Sequence, residues 1–174
     1  YLFATGRVLY NDPISLYMSE VLDTLLHADA ALRARLRVFC IRAAAVNAYT
    51  SNDGKIFVTL GLLARLKSRA ELAFVLAHEV QHYLNGDVYE SFVLNHDISK
   101  RMKSLTRKQE SAAQLLRTKY RRSRQQEVIA DSAGVLLYRS SPYGKHDPGR
   151  VFDVLERSEG PVYPQAPDGA FFGM

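Results

Sequence analysis

Apolar residues occur at helical spacing in some parts of the chain and in short unbroken runs in others, which predicts both helices and strands. The first helix is expected after Asp12, which can cap it, with Pro13 at its first position. Its apolar stripe consists of Ile14, Tyr17, Met18, Val21, Leu22, Leu25 and Leu26. Apolar runs over 36–46 and 56–59, with turn residues between them, predict two strands that pair antiparallel. A short helix is expected over 60–67.

A second strong helical pattern begins at Ser68. Ser68 and Glu71 form a capping box directly before an apolar run that continues to Leu84, and Asn85-Gly86 supplies a stop. Further helices are expected in three places: over 88–104, around Glu127 to about Ser140, and from Asp147 onward.

These elements predict an α+β fold that is mainly helical. At 174 residues and 47% apolar content, the chain can bury one core without disulfides. We expect one domain over 1–159 and an irregular, proline-rich tail over 160–174, truncated before further sequence. The single cysteine, Cys40, lies in an apolar run and is expected to be a packed hydrophobic residue.

The apolar run of the second helical pattern contains His78-Glu79-Val80-Gln81-His82, an H-E-x-x-H motif. Positions i and i+4 share one face of a helix, so both imidazoles can bind one zinc ion. Glu79 lies beside that face and can take a proton from a water bound to the zinc. A buried helix with two hydrogen-bonded histidines is the alternative, but burying such residues unpaired is costly.

A third ligand is expected elsewhere in the chain, and Glu127 is the best candidate. Glu127 and Asp131 are again at i and i+4, in a segment with helical spacing of its apolar residues. Glu127 would complete a His-His-Glu set, and Asp131 would accept a hydrogen bond from the other nitrogen of His78. An exposed acidic pair on an amphipathic helix remains the alternative on spacing alone.

His78–His82 followed by Glu127-x-x-Ala130-Asp131 resembles the CAAX prenyl endopeptidase and HtpX-like family of zinc metallopeptidases, which are gluzincins. Val46-Asn47-Ala48-Tyr49 and the segment 54–62 are similar to the lead-in to that family's active-site helix. Membrane-embedded members carry several spans, whereas no apolar run here approaches the ~18 residues that a span needs. The resemblance is therefore to a soluble branch.

The resemblance implies a zincin-like domain with a small β-sheet or hairpin beside the active-site helix. It implies one Zn²⁺ per chain, with His78, His82 and Glu127 as ligands, Glu79 as general base and Asp131 behind His78. An additional donor to the oxyanion is expected beyond the Glu127 helix, from His146, Tyr143 or Arg139. The substrate would pair with an exposed edge strand, for which the candidate residues are Lys55, Ile56, Phe57, Val58 and Thr59.

The resulting hypothesis is a zinc metalloendopeptidase acting on protein or peptide substrates, with a possible role in protein quality control in the cell envelope. The alternative is a latent zinc-binding regulatory or chaperone-like module, its open metal position plugged by His146 or by the tail. The chain begins at Tyr1 rather than Met, so we expect that an N-terminal segment has been removed. The resemblance to soluble relatives that act in cell envelopes implies a soluble periplasmic or extracytoplasmic domain. The sequence does not indicate the oligomeric state.

The net charge of +5 is concentrated between 100 and 124. This basic stretch could contact an anionic membrane or an acidic partner. The alternative interpretation is that it is a solvated helix face or a mobile loop without a partner. Tyr120 is the one aromatic residue in it, so base stacking is not supported and no nucleic acid is expected as a partner.

Overall fold

The computed structural model describes residues 6–87, 109–148, 150–151 and 154, with the backbone but not the side chains of 109–122. Its elements are β1 (Val8–Leu9), α1 (Pro13–Leu25), α2 (Ala30–Arg35), β2 (Arg37–Ile41), β3 (Ala48–Thr50), β4 (Lys55–Thr59), α3 (Leu60–Leu63), α4 (Arg69–Asn85) and α5 (Gln109–Ser140). The α+β class is confirmed. The helix expected over 88–104 and the tail over 160–174 lie outside the described residues.

The four strands form one sheet in the order β1-β2-β4-β3. β4 is parallel to β2 and antiparallel to β3, so the predicted antiparallel pairing of the two apolar runs is wrong. The first run ends as a strand at Ile41, and the chain then crosses the end of β4 before it returns as β3. Thr59 holds that crossing, since its hydroxyl lies 2.6 Å from the carbonyl oxygen of Ala45 and 2.9 Å from that of Asn47.

This topology corrects the candidate substrate strand. Lys55–Thr59 was expected at an exposed edge, but as β4 it is hydrogen-bonded on both sides. Among the described strands, the edges of the sheet are β1 and β3. A substrate strand therefore has no free backbone groups to pair with along β4.

The helix α1 begins as predicted, with Asp12 accepting hydrogen bonds from the backbone amides of Ile14 and Ser15. Most of its predicted apolar stripe enters the hydrophobic core, although Ile14 and Tyr17 are exposed. The core also takes residues from β2, β4 and much of α4.

The helix α4 has both predicted ends. Ser68 Oγ accepts a hydrogen bond from the Glu71 amide, while the Glu71 carboxylate reaches the amide of Lys67 rather than that of Ser68. Gly86 ends the helix with a φ of 69°, a left-handed conformation that glycine adopts at little cost. α4 lies between α1, β3 and α5, so residues on most of its surface are buried.

The helix α5 ends at Ser140 as predicted but begins at Gln109, within the basic stretch 100–124 and well before Glu127. It crosses α4 closely at Gly134, where an added Cβ would lie 3.2 Å from both the backbone nitrogen and the Cα of His78. Glycine therefore allows α5 to approach the backbone of α4 at the residue that begins the H-E-x-x-H motif.

Candidate active site

His78 and His82 lie one turn apart on α4 and point to the same place. Their Nε2 atoms are 3.0 Å apart, and their side chains are 16% and 15% exposed. They remain accessible on a helix that is otherwise largely buried. The two imidazoles therefore present two nitrogen ligands at one opening in the protein.

The helix α5 brings Glu127 to the same place. Glu127 Oε2 lies 3.5 Å from His78 Nε2 and 3.8 Å from His82 Nε2. Atoms that bind one zinc ion at about 2.0–2.2 Å must lie within about 4.4 Å of one another. The three distances satisfy that limit, and two imidazoles with one carboxylate are a donor set that suits zinc. These residues can hold a metal ion.

Each imidazole also has a carboxylate at its other nitrogen. His78 Nδ1 lies 3.0 Å from Asp131, as the spacing of Glu127 and Asp131 predicts, and His82 Nδ1 lies 2.8 Å from Asp87. An N–H at Nδ1 donating to a carboxylate leaves the lone pair on Nε2, the atom that faces Glu127. In a neutral ring held this way, Nε2 is the atom that accepts toward the centre of the site.

Sequence reasoning did not find Asp87. Its signal was its position directly after Gly86, where a left-handed turn ends α4 and returns the next side chain toward the last turn of the helix. The carboxylate of Asp87 is 10% exposed, whereas that of Asp131 is 50% exposed.

The contact between His78 and Glu127 shifts the pKa values of the two residues in opposite directions. Burial alone would lower the pKa of His78, but hydrogen bonds to Asp131 and Glu127 outweigh it and raise the pKa to about 10. The hydrogen bond with His78 lowers the pKa of Glu127 against the effect of its partial burial. Without a metal, the raised pKa therefore favours a second proton on the His78 ring, at Nε2, and a metal ion has to displace it.

Glu79 lies on the sheet side of the site. It is 6% exposed, and its Oε2 lies 2.8 Å from the hydroxyl of Thr50 on β3. Burial raises the pKa of Glu79, and the neighbouring charges of His78 and His82 oppose that rise. A buried carboxylate with a raised pKa, next to His78 in the chain, is suited to taking up and releasing a proton.

Of the three candidate oxyanion donors, Arg139 lies in the last turn of α5, and Tyr143 and His146 lie beyond its end. Arg139 and His146 line a cavity of about 440 Å³ that is also lined by Phe74, one turn before His78 on α4. Tyr143 is 9% exposed and packs in the core. In the described ranges, no hydrogen bond or ion pair joins these three residues to the His78–His82–Glu127 group. Their role stays a prediction.

A comparison with protein families decides the class of this chain. The model of peptidase family M48 matches residues 16–147, which include all of β2 to β4, α4 and Glu127. The chain belongs to peptidase family M48. The interpretation of the sequence as a metallopeptidase is therefore confirmed at the level of the family, although this match does not distinguish the CAAX or HtpX-like branch.

Curated relatives agree with the M48 assignment. The chain is 31% identical over 87 residues to a protein named mitochondrial metalloendopeptidase OMA1 from Schizosaccharomyces pombe, across 50% of this chain. It is 32% identical over 138 residues to the protein of the same name from Arabidopsis thaliana, across 71% of this chain. In each case the match spans 26% of the relative's own length.

Two expectations about membranes remain. No helix in the described ranges combines the length and the apolar character needed to cross a membrane. The basic stretch 100–124 lies mostly outside the described side chains, so its expected contact with an anionic membrane stays a prediction.

Proposed function

We propose that this M48 domain is a zinc-dependent metalloendopeptidase whose ligands are His78, His82 and Glu127. The observation that carries the proposal is the convergence of three potential ligand atoms from two helices, with distances of 3.0, 3.5 and 3.8 Å between them. The names of the two relatives, which describe metalloendopeptidases, support the same activity.

The bound zinc would supply a Lewis acid that polarises the scissile carbonyl and acidifies water at the site. Glu79 would accept a proton from the attacking water and pass it to the leaving amine. The position of Glu79 next to His78, and the raised pKa of its carboxyl group, support both steps. Asp131 and Asp87 would keep His78 and His82 oriented with Nε2 toward the metal.

We propose that the substrate is a protein or peptide segment bound in extended form along the outer edge of β3. β3 is an edge of the described sheet and contacts α4 directly, so a strand added there would pass beside Glu79. Such pairing uses backbone groups and gives affinity that depends little on sequence. A location in a cell envelope and a role in protein quality control stay predictions, and the two relatives are named as mitochondrial proteins.

The test is zinc content together with cleavage of casein, measured on the wild type, on Glu79→Gln and on Glu20→Gln. Glu20 is an exposed residue of α1, so the same chemical change there controls for general effects. We expect about one zinc per chain in all three proteins. Cleavage should fall at least about 100-fold in Glu79→Gln alone, because a general base contributes that much to the rate.

Each other outcome has a clear meaning. Cleavage retained by Glu79→Gln would exclude Glu79 as the base. Zinc bound by every protein with cleavage by none would favour the alternative of a latent or plugged module. Absence of zinc from purified and zinc-supplemented protein would overturn the ligand assignment.

A further inference from the structure

Thr50 is the last residue of β3 and the one that contacts Glu79. Its hydroxyl lies 2.8 Å from Glu79 Oε2 and 3.0 Å from the backbone carbonyl oxygen of Glu79. Both residues are buried, with Thr50 5% and Glu79 6% exposed. The contact joins positions 29 apart in sequence and links the edge strand of the sheet to the motif helix.

The chemistry of the contact makes Thr50 a specific partner of the carboxylate. A hydroxyl carries one proton, so it can donate to the carboxylate or to the backbone carbonyl. Hydrogen bonds to ionised groups are about twice as strong as those between neutral groups. The Thr50 hydroxyl therefore donates its hydrogen bond to the carboxylate when Glu79 is ionised. Valine has nearly the same shape as threonine, but it would leave the buried carboxylate without this donor.

We propose that Thr50 is a positioning residue for Glu79. Its hydrogen bond would hold the Glu79 carboxylate at a fixed position relative to a substrate bound along β3. This inference rests on the proposed function. Thr50 would not contact the reacting atoms. It would act by restricting the rotation of the Glu79 side chain, which otherwise has to be ordered in every turnover.

The kinetic test compares Thr50→Val and Thr50→Ser with the wild type on a fluorogenic peptide. We expect kcat to fall at least about tenfold in Thr50→Val, because misplacing a catalytic group by about 1 Å can cost up to about 100-fold. KM should change less than about twofold, because the backbone edge of β3 that would bind the peptide is unaltered. Thr50→Ser restores the hydroxyl and should recover kcat to within about threefold of the wild type.

A second measurement does not depend on activity. Thermal unfolding of the metal-free protein is followed for Thr50→Val, Glu79→Leu and the double variant. If the two side chains interact, the shift in Tm of the double variant will be smaller than the sum of the single shifts, since neither partner is then left unsatisfied. Additive shifts would show that the contact carries no energy and would overturn the inference.

The outcomes separate this inference from the proposed function. If Glu79→Gln abolishes cleavage while Thr50→Val keeps the wild-type kcat, the positioning role is wrong and the peptidase assignment stands. Loss of activity in both Thr50→Val and Thr50→Ser, with zinc retained, would show that shape rather than the hydroxyl matters. If the zinc-loaded wild type cleaves nothing, both proposals fail together.

Discussion

At the scale of residues, both imidazoles of the candidate site connect a metal position to a carboxylate. His78 and His82 use Nε2 toward Glu127 and Nδ1 toward Asp131 and Asp87 respectively. Asp131 lies on α5 and Asp87 directly follows the end of α4, and their carboxylates differ in exposure, so we do not expect them to matter equally. Asp87 has the more buried carboxylate and makes the shorter contact, 2.8 Å against 3.0 Å.

We expect Asp87→Asn to weaken zinc binding by about 10–100-fold, the usual effect of removing a carboxylate behind a ligating histidine. Asp131→Asn should weaken it less, because solvent already competes for that half-exposed carboxylate. Competition with a chelating fluorophore measures the affinity. Asp23→Asn, an exposed change on α1, is the control. Equal affinity of Asp87→Asn and the wild type would contradict the orienting role.

The sequence predicted His78, Glu79 and His82 because one helical turn contains all three and its spacing alone fixes their relation. It also indicated Glu127 and Asp131, since their spacing on a second helix repeats the pattern. Thr50 and Asp87 could not be found in this way. Thr50 reaches Glu79 through the packing of β3 on α4, and Asp87 reaches His82 through a left-handed turn.

At the scale of elements, the site depends on how closely α4 and α5 cross. Glu127 lies about two turns and Asp131 about one turn before Gly134 on α5. The contact of Gly134 with His78 therefore sets how far both carboxylates stand from the imidazoles. Caps and apolar spacing predicted the start of α1 and both ends of α4, since these signals are local. The sheet order was not predictable, because it depends on β4 inserting between two strands that precede it in the chain.

We expect Gly134→Leu to separate the two helices. An added Cβ would already lie 3.2 Å from the backbone of His78, so a larger side chain has to displace one helix from the other. The free energy of unfolding should fall by about 1–3 kcal/mol, as for overpacking in a core, and zinc binding should weaken in parallel. Chemical denaturation and the chelator assay check both effects.

Ser132→Leu provides the matched control for that variant. Ser132 is exposed on the same helix, so the new side chain should change stability by less than about 0.5 kcal/mol. Normal zinc affinity in Gly134→Leu would show that the crossing does not position Glu127.

At the scale of the whole molecule, a metal ion at this site would join two helices that are far apart in sequence. His78 and His82 belong to α4, which packs on the sheet and α1, whereas Glu127 belongs to α5. Any ion that binds the folded chain and not the unfolded one must stabilise the fold. The same ion must also displace the proton that the raised pKa of about 10 places on His78.

We expect zinc to raise the Tm of the metal-free protein, by an amount that shrinks as the pH falls. At a zinc concentration 100 times Kd, the gain in stability is about 2.7 kcal/mol. Below the pKa of His78, each pH unit should weaken zinc binding up to about tenfold, because a proton competes with the ion for Nε2.

Without zinc, the contribution of His78 to stability changes with pH in the opposite direction. The raised pKa of His78 stabilises the folded protein at pH values below its ordinary pKa of 6.5, and that contribution is lost as the pH rises toward about 10. Scanning calorimetry between pH 6 and 8, on the wild type and Glu127→Gln, tests both trends. A zinc-dependent shift of the same size in Glu127→Gln would show that Glu127 does not bind the ion.

The strand β3 is only three residues long. On the proposed function, a partner laid along its outer edge gains few backbone hydrogen bonds, because alternate residues of a strand face away from the pairing edge. So short an edge favours the binding of segments that are already extended. It provides too few hydrogen bonds to drive the unfolding of segments that are folded. The choice of substrate would then depend on the conformation of the protein segment rather than on its sequence. Well-folded proteins would not be cleaved, even though no sequence motif is recognised.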